Sequence, residues 1–142
     1  MKVFIDTNVL ISAARNPNGA PFFAFWKAVT FPNTGIICEQ NIEEIRRIFN
    51  RKFPHQIPLL NQFLAESLPF LKVVSTPTDE VEVETKIRDI SDRPLLRAAI
   101  AADADILVTG DKDFLESDVK VPKIMKVTEF LDVNYEFKPG NA

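Results

Sequence analysis

Two residue types on which much enzyme chemistry depends are nearly absent from this chain, which has one cysteine, Cys38, and one histidine, His55. A single cysteine cannot form an internal disulfide, and the two residues together cannot supply a tetrahedral zinc site. RNA cleavage by paired histidines needs a second imidazole, and a Ser-His-Asp relay would depend on His55, which lies in a proline-flanked turn. A nucleophilic Cys38 meets the same difficulty. Catalysis by this chain would therefore have to use carboxylates and the metal ions that they bind.

Long apolar runs are also missing. The longest apolar stretches have the length of a strand or are interrupted by polar residues, and residues 1–5 are too short for the apolar part of a secretion signal. We therefore expect neither a membrane span nor secretion, and a cytoplasmic location. A chain of 142 residues, 46% apolar and 26% charged, has the composition of one globular domain. We predict that this domain covers residues 1–133 and that residues 134–142 form a flexible tail.

Positive charge is not in excess, because the formal net charge is −3 at pH 7. Proteins that hold nucleic acid by broad electrostatic contact are usually basic, so the net charge argues weakly against that mode of binding. A bound divalent cation would remove this objection locally.

The apolar pattern alternates between strand-like and helix-like periods along the chain. It predicts strands at residues 2–5, 34–38, 72–75, 106–109 and 123–125. It predicts helices over residues 7–14, 20–30, 41–52, 58–70, from residue 92 toward the fourth strand, and 127–133; Asn41 is the expected N-cap of the third. Residues 81–84 fit either a strand or the start of a helix. This alternation calls for a parallel sheet covered by helices on both faces.

Three aspartates are expected at one edge of that sheet. Asp6 directly follows the first strand, and Asp111 follows the fourth strand after a single glycine. A helix that leads into a parallel strand must begin at the edge where the strands end, so Asp92 belongs to the same edge. Asp103 and Asp105 fall at the opposite edge. For each of the three acids taken singly, helix capping remains an equally simple explanation.

A fourth acid is chosen by helical periodicity. At about 100° per residue, Glu44 lies beside Ile48 on the apolar face of its helix, whereas Glu43 lies toward the solvated side. Carboxylates gathered in this way repel one another unless protons or cations intervene, and Mg²⁺ prefers oxygen ligands and completes its shell with phosphate oxygens. Asp113 could be a further ligand, a supporting acid or the first-turn acid of a short helix. Polar neighbours that could support the acids, or merely cap locally, are Thr7, Asn8 and Thr109.

Basic and aromatic residues give the candidate binding surfaces. Residues that could hold phosphates on either side of a cleaved bond are Arg46, Arg47, Arg93 and Lys112, of which Arg93 and Lys112 are favoured by their location beside the acids. Arg51 and Lys52 fit a solvated surface at least as well. The run of Phe22, Phe23, Phe25 and Trp26 is more apolar than one core-facing side of a helix requires, so part of it should form an exposed patch for a protein partner. The acidic series Glu80, Glu82 and Glu84 is expected to be a solvated surface.

These motifs resemble those of PIN-domain proteins over residues 1–133, in the order FIDTNVL at residues 4–10, EI at 44–45, DRPLLRAA at 92–99 and LVTGDKDF at 107–114. Among PIN domains the chain is most similar to the VapC-like toxins of type II toxin–antitoxin pairs. The resemblance implies a three-layer α/β/α fold, endoribonuclease activity that depends on Mg²⁺ or Mn²⁺, a cognate antitoxin, and a homodimer. The family's acids fall on Asp6, Glu44, Asp92 and Asp111, with Asp89 as the residue that could be mistaken for the third of them.

Two other functions fit part of the pattern. An aspartyl phosphatase would also place an aspartate after the first strand, but it needs an acid two residues later, where this chain has Asn8. A non-catalytic module, in which the acids hold a structural cation and the aromatic helix binds a partner, retains every feature described above.

Overall fold

A computed structural model describes residues 1–134 of the chain. Five parallel strands form one sheet in the order β3-β2-β1-β4-β5. The strands are β1 (Lys2–Ile5), β2 (Thr34–Cys38), β3 (Leu71–Val74), β4 (Ile106–Val108) and β5 (Lys123–Met125). The helices are α1 (Thr7–Arg15), α2 (Ala20–Val29), α3 (Glu39–Lys52), α4 (Ile57–Ser67), α5 (Arg93–Ala101), α6 (Lys112–Leu115) and α7 (Val127–Asp132). The predicted strands are therefore confirmed to within a residue at each end.

Successive side chains of each central strand enter two different cores. Val3 and Ile5 of β1 pack against α1, α2, α3, α4 and α7, whereas Phe4 between them packs against α5 and α6. The same alternation separates Ile106 and Val108 of β4 from Leu107. Because strand side chains point alternately to opposite faces, apolar residues at every position require helices on both sides of the sheet. The predicted three-layer α/β/α architecture is confirmed, and every strand pair is parallel.

The expected N-cap of α3 is wrong, and two other expected segments differ in part from the structure. Asn41 is not the N-cap of α3, because the helix begins at Glu39 with Cys38 at its N-cap, and the Asn41 Oδ1 atom instead accepts the Cys38 backbone N–H at 2.8 Å. Of the two alternatives for residues 81–84, the start of a helix is the closer one, because a short 3₁₀ helix spans Glu82–Lys86. The predicted helix over 58–70 ends as α4 at Ser67 and continues as a 3₁₀ turn, Leu68–Phe70.

The acidic series before α5 is not uniformly solvated. Glu80 and Glu82 are exposed, but Glu84 is buried and makes a two-point ion pair with Arg97, at 2.8 Å and 2.9 Å. The guanidinium also donates to the Pro77 carbonyl at 2.8 Å. These bonds fix the long connection between β3 and α5, and so help to position the start of α5.

No helix within residues 1–134 is both long and apolar enough to cross a membrane. Of the predicted tail, residues 135–142 lie outside the part of the chain that the structure describes.

Candidate metal centre

The first and fourth strands bring their following residues to one edge of the sheet. Ile5 pairs with Val108 at the end of both strands, and the Asp6 backbone N–H still donates to the Val108 carbonyl at 3.0 Å. Asp6 therefore lies beside the last residue of β4, Val108. It is also close to Asp111, which follows Thr109 and Gly110 after that strand. The opposite edge holds Asp105, whose Oδ2 atom accepts the Lys2 backbone N–H at 2.8 Å, as its position in the sequence predicted.

Asp6 is a buried carboxyl with both oxygens bonded. Its Oδ1 atom accepts the Thr7 backbone N–H at 2.8 Å and its Oδ2 atom accepts the Thr109 hydroxyl at 2.7 Å. Asp6 as a whole residue is only 4% exposed to solvent. The pKa of Asp6 is raised from 3.8 to about 7, chiefly by burial; the hydrogen bonds from Thr109 and Thr7 lower it, and the nearby charges of Glu44 and Asp111 add to the rise.

Glu44 reaches the same place from α3. It is 9% exposed, whereas Glu43 is exposed, so helical periodicity distinguished the buried acid from its neighbour. Burial raises the pKa of Glu44, while hydrogen bonds from the Thr7 side chain and from Gln40 Nε2, at 3.4 Å, oppose the rise. The Thr7 hydroxyl in turn accepts Asn41 Nδ2 at 3.1 Å, so the side chain of Asn41 holds the donor that holds Glu44.

Asp92 occupies the N-cap position of α5, yet its side chain does not cap the helix. Its Oδ2 atom is shielded from solvent and has no hydrogen-bond partner among residues 1–134. Burial raises the pKa of Asp92 strongly, and the adjacent carboxylates of Asp6 and Asp111 raise it further. A buried oxygen without a donor, surrounded by other carboxylates, is an arrangement that a cation would satisfy. The donor set, made only of oxygens, fits a hard divalent ion.

The last acidic motif adds two carboxylates around Asp92. Asp111 caps α6 by accepting the Asp113 backbone N–H at 2.9 Å, and its own N–H donates to the Thr109 hydroxyl at 2.9 Å. Carboxylate oxygens of Asp89, Asp92 and Asp113 lie within 4.8 Å of one another. Asp113 is partly neutralised by Arg88, whose Nη2 atom is 2.9 Å away.

Asp89 is the acid that could be mistaken for Asp92, the third acid of the family motifs. Its Oδ1 atom accepts the Ser91 backbone N–H at 3.0 Å and the Ser91 hydroxyl at 2.7 Å, which is how an aspartate in a turn ordinarily bonds. Two observations connect it with the cluster, its distance to Asp92 and Asp113 and the effect of its charge, which raises the pKa of Glu44. The spacing of three residues from Asp92 was the one signal available in the sequence.

The structure also places the predicted supporting residues. Thr7 and Thr109 bond to acids of the cluster, as described above. The third, Asn8, accepts the Gly110 backbone N–H with its Oδ1 atom at 3.4 Å, so it contacts the loop before Asp111 and not an acid. Asn41 and Gln40 are supporting residues that the sequence analysis did not identify, because Asn41 was assigned to helix capping.

The four basic residues predicted to contact phosphates have different surroundings. Arg46, Arg47 and Lys112 are exposed, and the charge of Arg47 acts on Glu44 and lowers its pKa. Arg93 is half-buried, and its Nε atom donates to the Ile87 carbonyl at 2.9 Å.

Comparisons with known proteins agree with this architecture. Residues 2–113 match the PIN domain family. An uncharacterized protein of Methanocaldococcus jannaschii is 30% identical over 120 residues, which are 81% of this chain and 74% of that protein. A chain in the crystal structure of VapBC2 from Rickettsia felis, bound to a DNA fragment from their promoter, superposes with a TM-score of 0.66. That match covers 89% of this chain and 98% of the other at 17% identity, so it is a likeness of fold.

Proposed function

Because the chain belongs to the PIN domain family, we propose that it is a metal-dependent endoribonuclease that hydrolyses RNA phosphodiester bonds. The observation that carries this proposal is the acidic cluster, in which the shielded Asp92 Oδ2 atom has no donor within residues 1–134. Ionised carboxylates at such short range repel one another strongly, and a divalent cation removes the repulsion.

The proposed ligands are the four acids of the family motifs, which are Asp6, Glu44, Asp92 and Asp111. Asp113 is proposed as an additional ligand. When bound, Mg²⁺ or Mn²⁺ would supply positive charge for the phosphate oxygens and a water molecule of lowered pKa. Asp89 is close enough to Asp92 and Asp113 to take part. No side chain needs to form a covalent bond with the substrate.

The hydrogen bonds around the acids support this function because they orient carboxylates in advance. Asn41 Nδ2 donates to the Thr7 oxygen, so the Thr7 hydroxyl proton is directed to another acceptor, which is Glu44. Thr109 donates its hydroxyl proton to Asp6 and accepts the Asp111 backbone N–H. Each threonine thus fixes one acid through a second contact, and such supporting contacts commonly contribute about 10- to 100-fold to metal affinity or activity.

We propose that RNA contacts come from basic residues near the cluster, namely Arg46, Arg47, Arg93 and Lys112. The exposure of Arg46, Arg47 and Lys112 supports this role. Positive side chains beside a metal-bound phosphate would hold the strand without reading its sequence.

We also propose that the chain is the toxin of a type II toxin–antitoxin pair, that it binds a cognate antitoxin and forms homodimers, and that it acts in the cytoplasm. Its motifs resemble those of VapC-like toxins, and its fold resembles a chain of the Rickettsia felis VapBC2 structure. Two aromatic residues of α2, Phe23 and Trp26, are 53% and 57% exposed, whereas Phe25 is buried. Exposed aromatic side chains of this kind favour contact with a protein partner.

The test is cleavage of single-stranded RNA by the purified protein. We expect cleavage with Mg²⁺ or Mn²⁺, none with EDTA, and a loss of at least about 100-fold in Asp6→Asn and in Asp92→Asn. The matched control, Asp105→Asn, removes a carboxylate from the opposite edge of the sheet and should keep full activity. Cleavage that survives both cluster substitutions would contradict the proposal. Hydrolysis of phosphomonoesters through a phosphoaspartate intermediate would indicate the aspartyl phosphatase. A rise in Tm on addition of metal, without any turnover, would indicate the non-catalytic binding module.

A further inference from the structure

A second concave feature adjoins the acidic cluster. It is a cleft of about 600 Å³ between the loop that follows β4 and the start of α7, which lies within the roughly 300–1,000 Å³ range of pockets that enclose small molecules. Thr109 and Gly110 line it from the loop, and Lys126 and Thr128 line it from the start of α7. This cleft is at the carboxyl ends of β4 and β5, the edge at which ligands bind in open parallel sheets.

The cleft is positively charged. Lys112 and Lys126 both line it, both are exposed, and neither forms an ion pair with a carboxylate in the described part of the chain. Its one acidic residue, Glu116, is paired at 2.9 Å with Arg88 Nη2 outside the cleft. Two lysine charges therefore face the cleft against a carboxylate that already has a partner.

The cleft also adjoins the acidic cluster. Thr109 lines it, and the hydroxyl of the same residue donates to Asp6 Oδ2 at 2.7 Å and accepts the Asp111 backbone N–H at 2.9 Å. A linear molecule that lies across the acids can therefore extend directly into the cleft. Leu115 and Val127, both partly buried, give the cleft an apolar surface on which a ribose or base can pack.

We infer that this cleft binds the RNA strand on one side of the cleaved phosphodiester, with Lys126 and Lys112 contacting backbone phosphates. The inference rests on the proposed function, since it assigns a binding surface to the same substrate. It adds Lys126 as a substrate-binding residue, and it predicts little preference for base sequence, because lysine contacts to phosphates carry no sequence information.

The test compares two lysines at the two ends of β5. Lys126 directly follows the carboxyl end of β5, and Lys123 begins the same strand at the opposite edge of the sheet. The probe is a fluorescein-labelled uridine oligonucleotide with phosphorothioate linkages, which keep the backbone charge and slow its hydrolysis. Binding is measured by fluorescence anisotropy with Mg²⁺ over a series of salt concentrations. Both lysines are exposed, and Lys126→Ala keeps the backbone N–H that bonds to Glu129 Oε1 at 3.4 Å, so α7 should be preserved.

We expect Lys126→Ala to weaken binding by up to about fivefold and to reduce the slope of log affinity against log salt by about 0.7, the value for one phosphate contact on a single strand. Lys126→Glu should weaken binding further, and Lys123→Ala should match the parent. Equal affinity and equal slope in Lys126→Ala, Lys126→Glu and the parent would overturn the inference and leave the cleft for a different ligand, such as an acidic protein segment.

Failure of the proposed function gives a different result. A parent protein that binds the probe but does not cleave unmodified RNA would contradict the nuclease, while the comparison of Lys126 with Lys123 would still decide where the strand lies. A parent protein that binds no RNA at all would overturn both.

Discussion

Burial of Asp6 makes the metal-free protein sensitive to pH in a direction opposite to that of ordinary surface carboxyls. The pKa of Asp6 rises on folding from 3.8 to about 7. A carboxyl with a raised pKa imposes no penalty below pH 3.8, because it is protonated in both states, and it destabilises the fold increasingly as pH rises toward 7. At about 1.4 kcal/mol for each pH unit, the penalty is about 1.7 kcal/mol at pH 5 and about 4 kcal/mol at pH 8.

The substitution Asp6→Asn removes this penalty. The amide oxygen can still accept the Thr7 N–H, but the Thr109 hydroxyl loses its carboxylate acceptor, which costs about 1 kcal/mol at every pH. That constant cost cancels when the two proteins are compared at two pH values. We therefore expect the stability of the variant relative to the parent to increase by about 2.5 kcal/mol between pH 5 and pH 8. With an m-value of about 2 kcal/mol/M, the relative shift is about 1 M in the urea midpoint.

The assay is urea unfolding followed by circular dichroism, with EDTA present, for the parent, Asp6→Asn and the control Asp105→Asn. Asp92 also has a raised pKa, so the variant's pH profile should be flattened but not flat. The control should follow the parent. Parallel profiles of the parent and Asp6→Asn would refute the argument that a buried carboxyl at this position is held at a cost until a cation or a proton neutralises it.

Three further predictions concern neighbouring residues. Glu44→Gln should lower the rate of RNA cleavage at least about 100-fold, whereas Glu43→Gln, the adjacent exposed acid, should change it little; equal losses in the two variants would show that burial does not identify the acid that acts. Thr109→Val removes the hydroxyl that bonds two acidic motifs, so calorimetry should give a Mn²⁺ affinity about 10- to 100-fold lower, and unchanged affinity would contradict the supporting role. Arg97→Met leaves the Glu84 carboxylate buried without its partner, which should destabilise the protein by about 3–5 kcal/mol in urea unfolding; a smaller loss than in an exposed-pair variant would show that the pair is not buried in solution.

The three-layer fold can be predicted from the sequence because short local patterns determine it. Each central strand is a short apolar run, and apolar residues at consecutive positions require cover on both faces, so the pattern around Phe4 and Leu107 predicts three layers without any long-range contact. Asp6 follows β1 directly and Asp111 follows β4 after Thr109 and Gly110, and the edge on which they lie is set by the parallel connection. The position of Asp92 follows from the same rule applied to the helix before β4.

The remaining features depend on partners distant in sequence. Asparagine is a residue type that commonly caps helices. The Nδ2 atom of Asn41 instead donates to the Ile5 carbonyl and to the Thr7 hydroxyl, 36 and 34 residues away. Glu84 belongs to a charged series, and its burial depends on the two-point ion pair with Arg97, 13 residues later. Local periodicity contains neither contact, so the start of α3 and the connection before α5 were the parts predicted incorrectly.

We propose that acids from four separate segments hold a divalent cation at the carboxyl edge of the sheet. The most direct measurement is anomalous diffraction from crystals of the full chain grown with Mn²⁺. We expect a manganese peak in contact with carboxylate oxygens of Asp6 and Asp92, and its loss in Asp92→Asn crystals. Crystals in which these acids are ordered, with manganese bound only elsewhere or not at all, would contradict it.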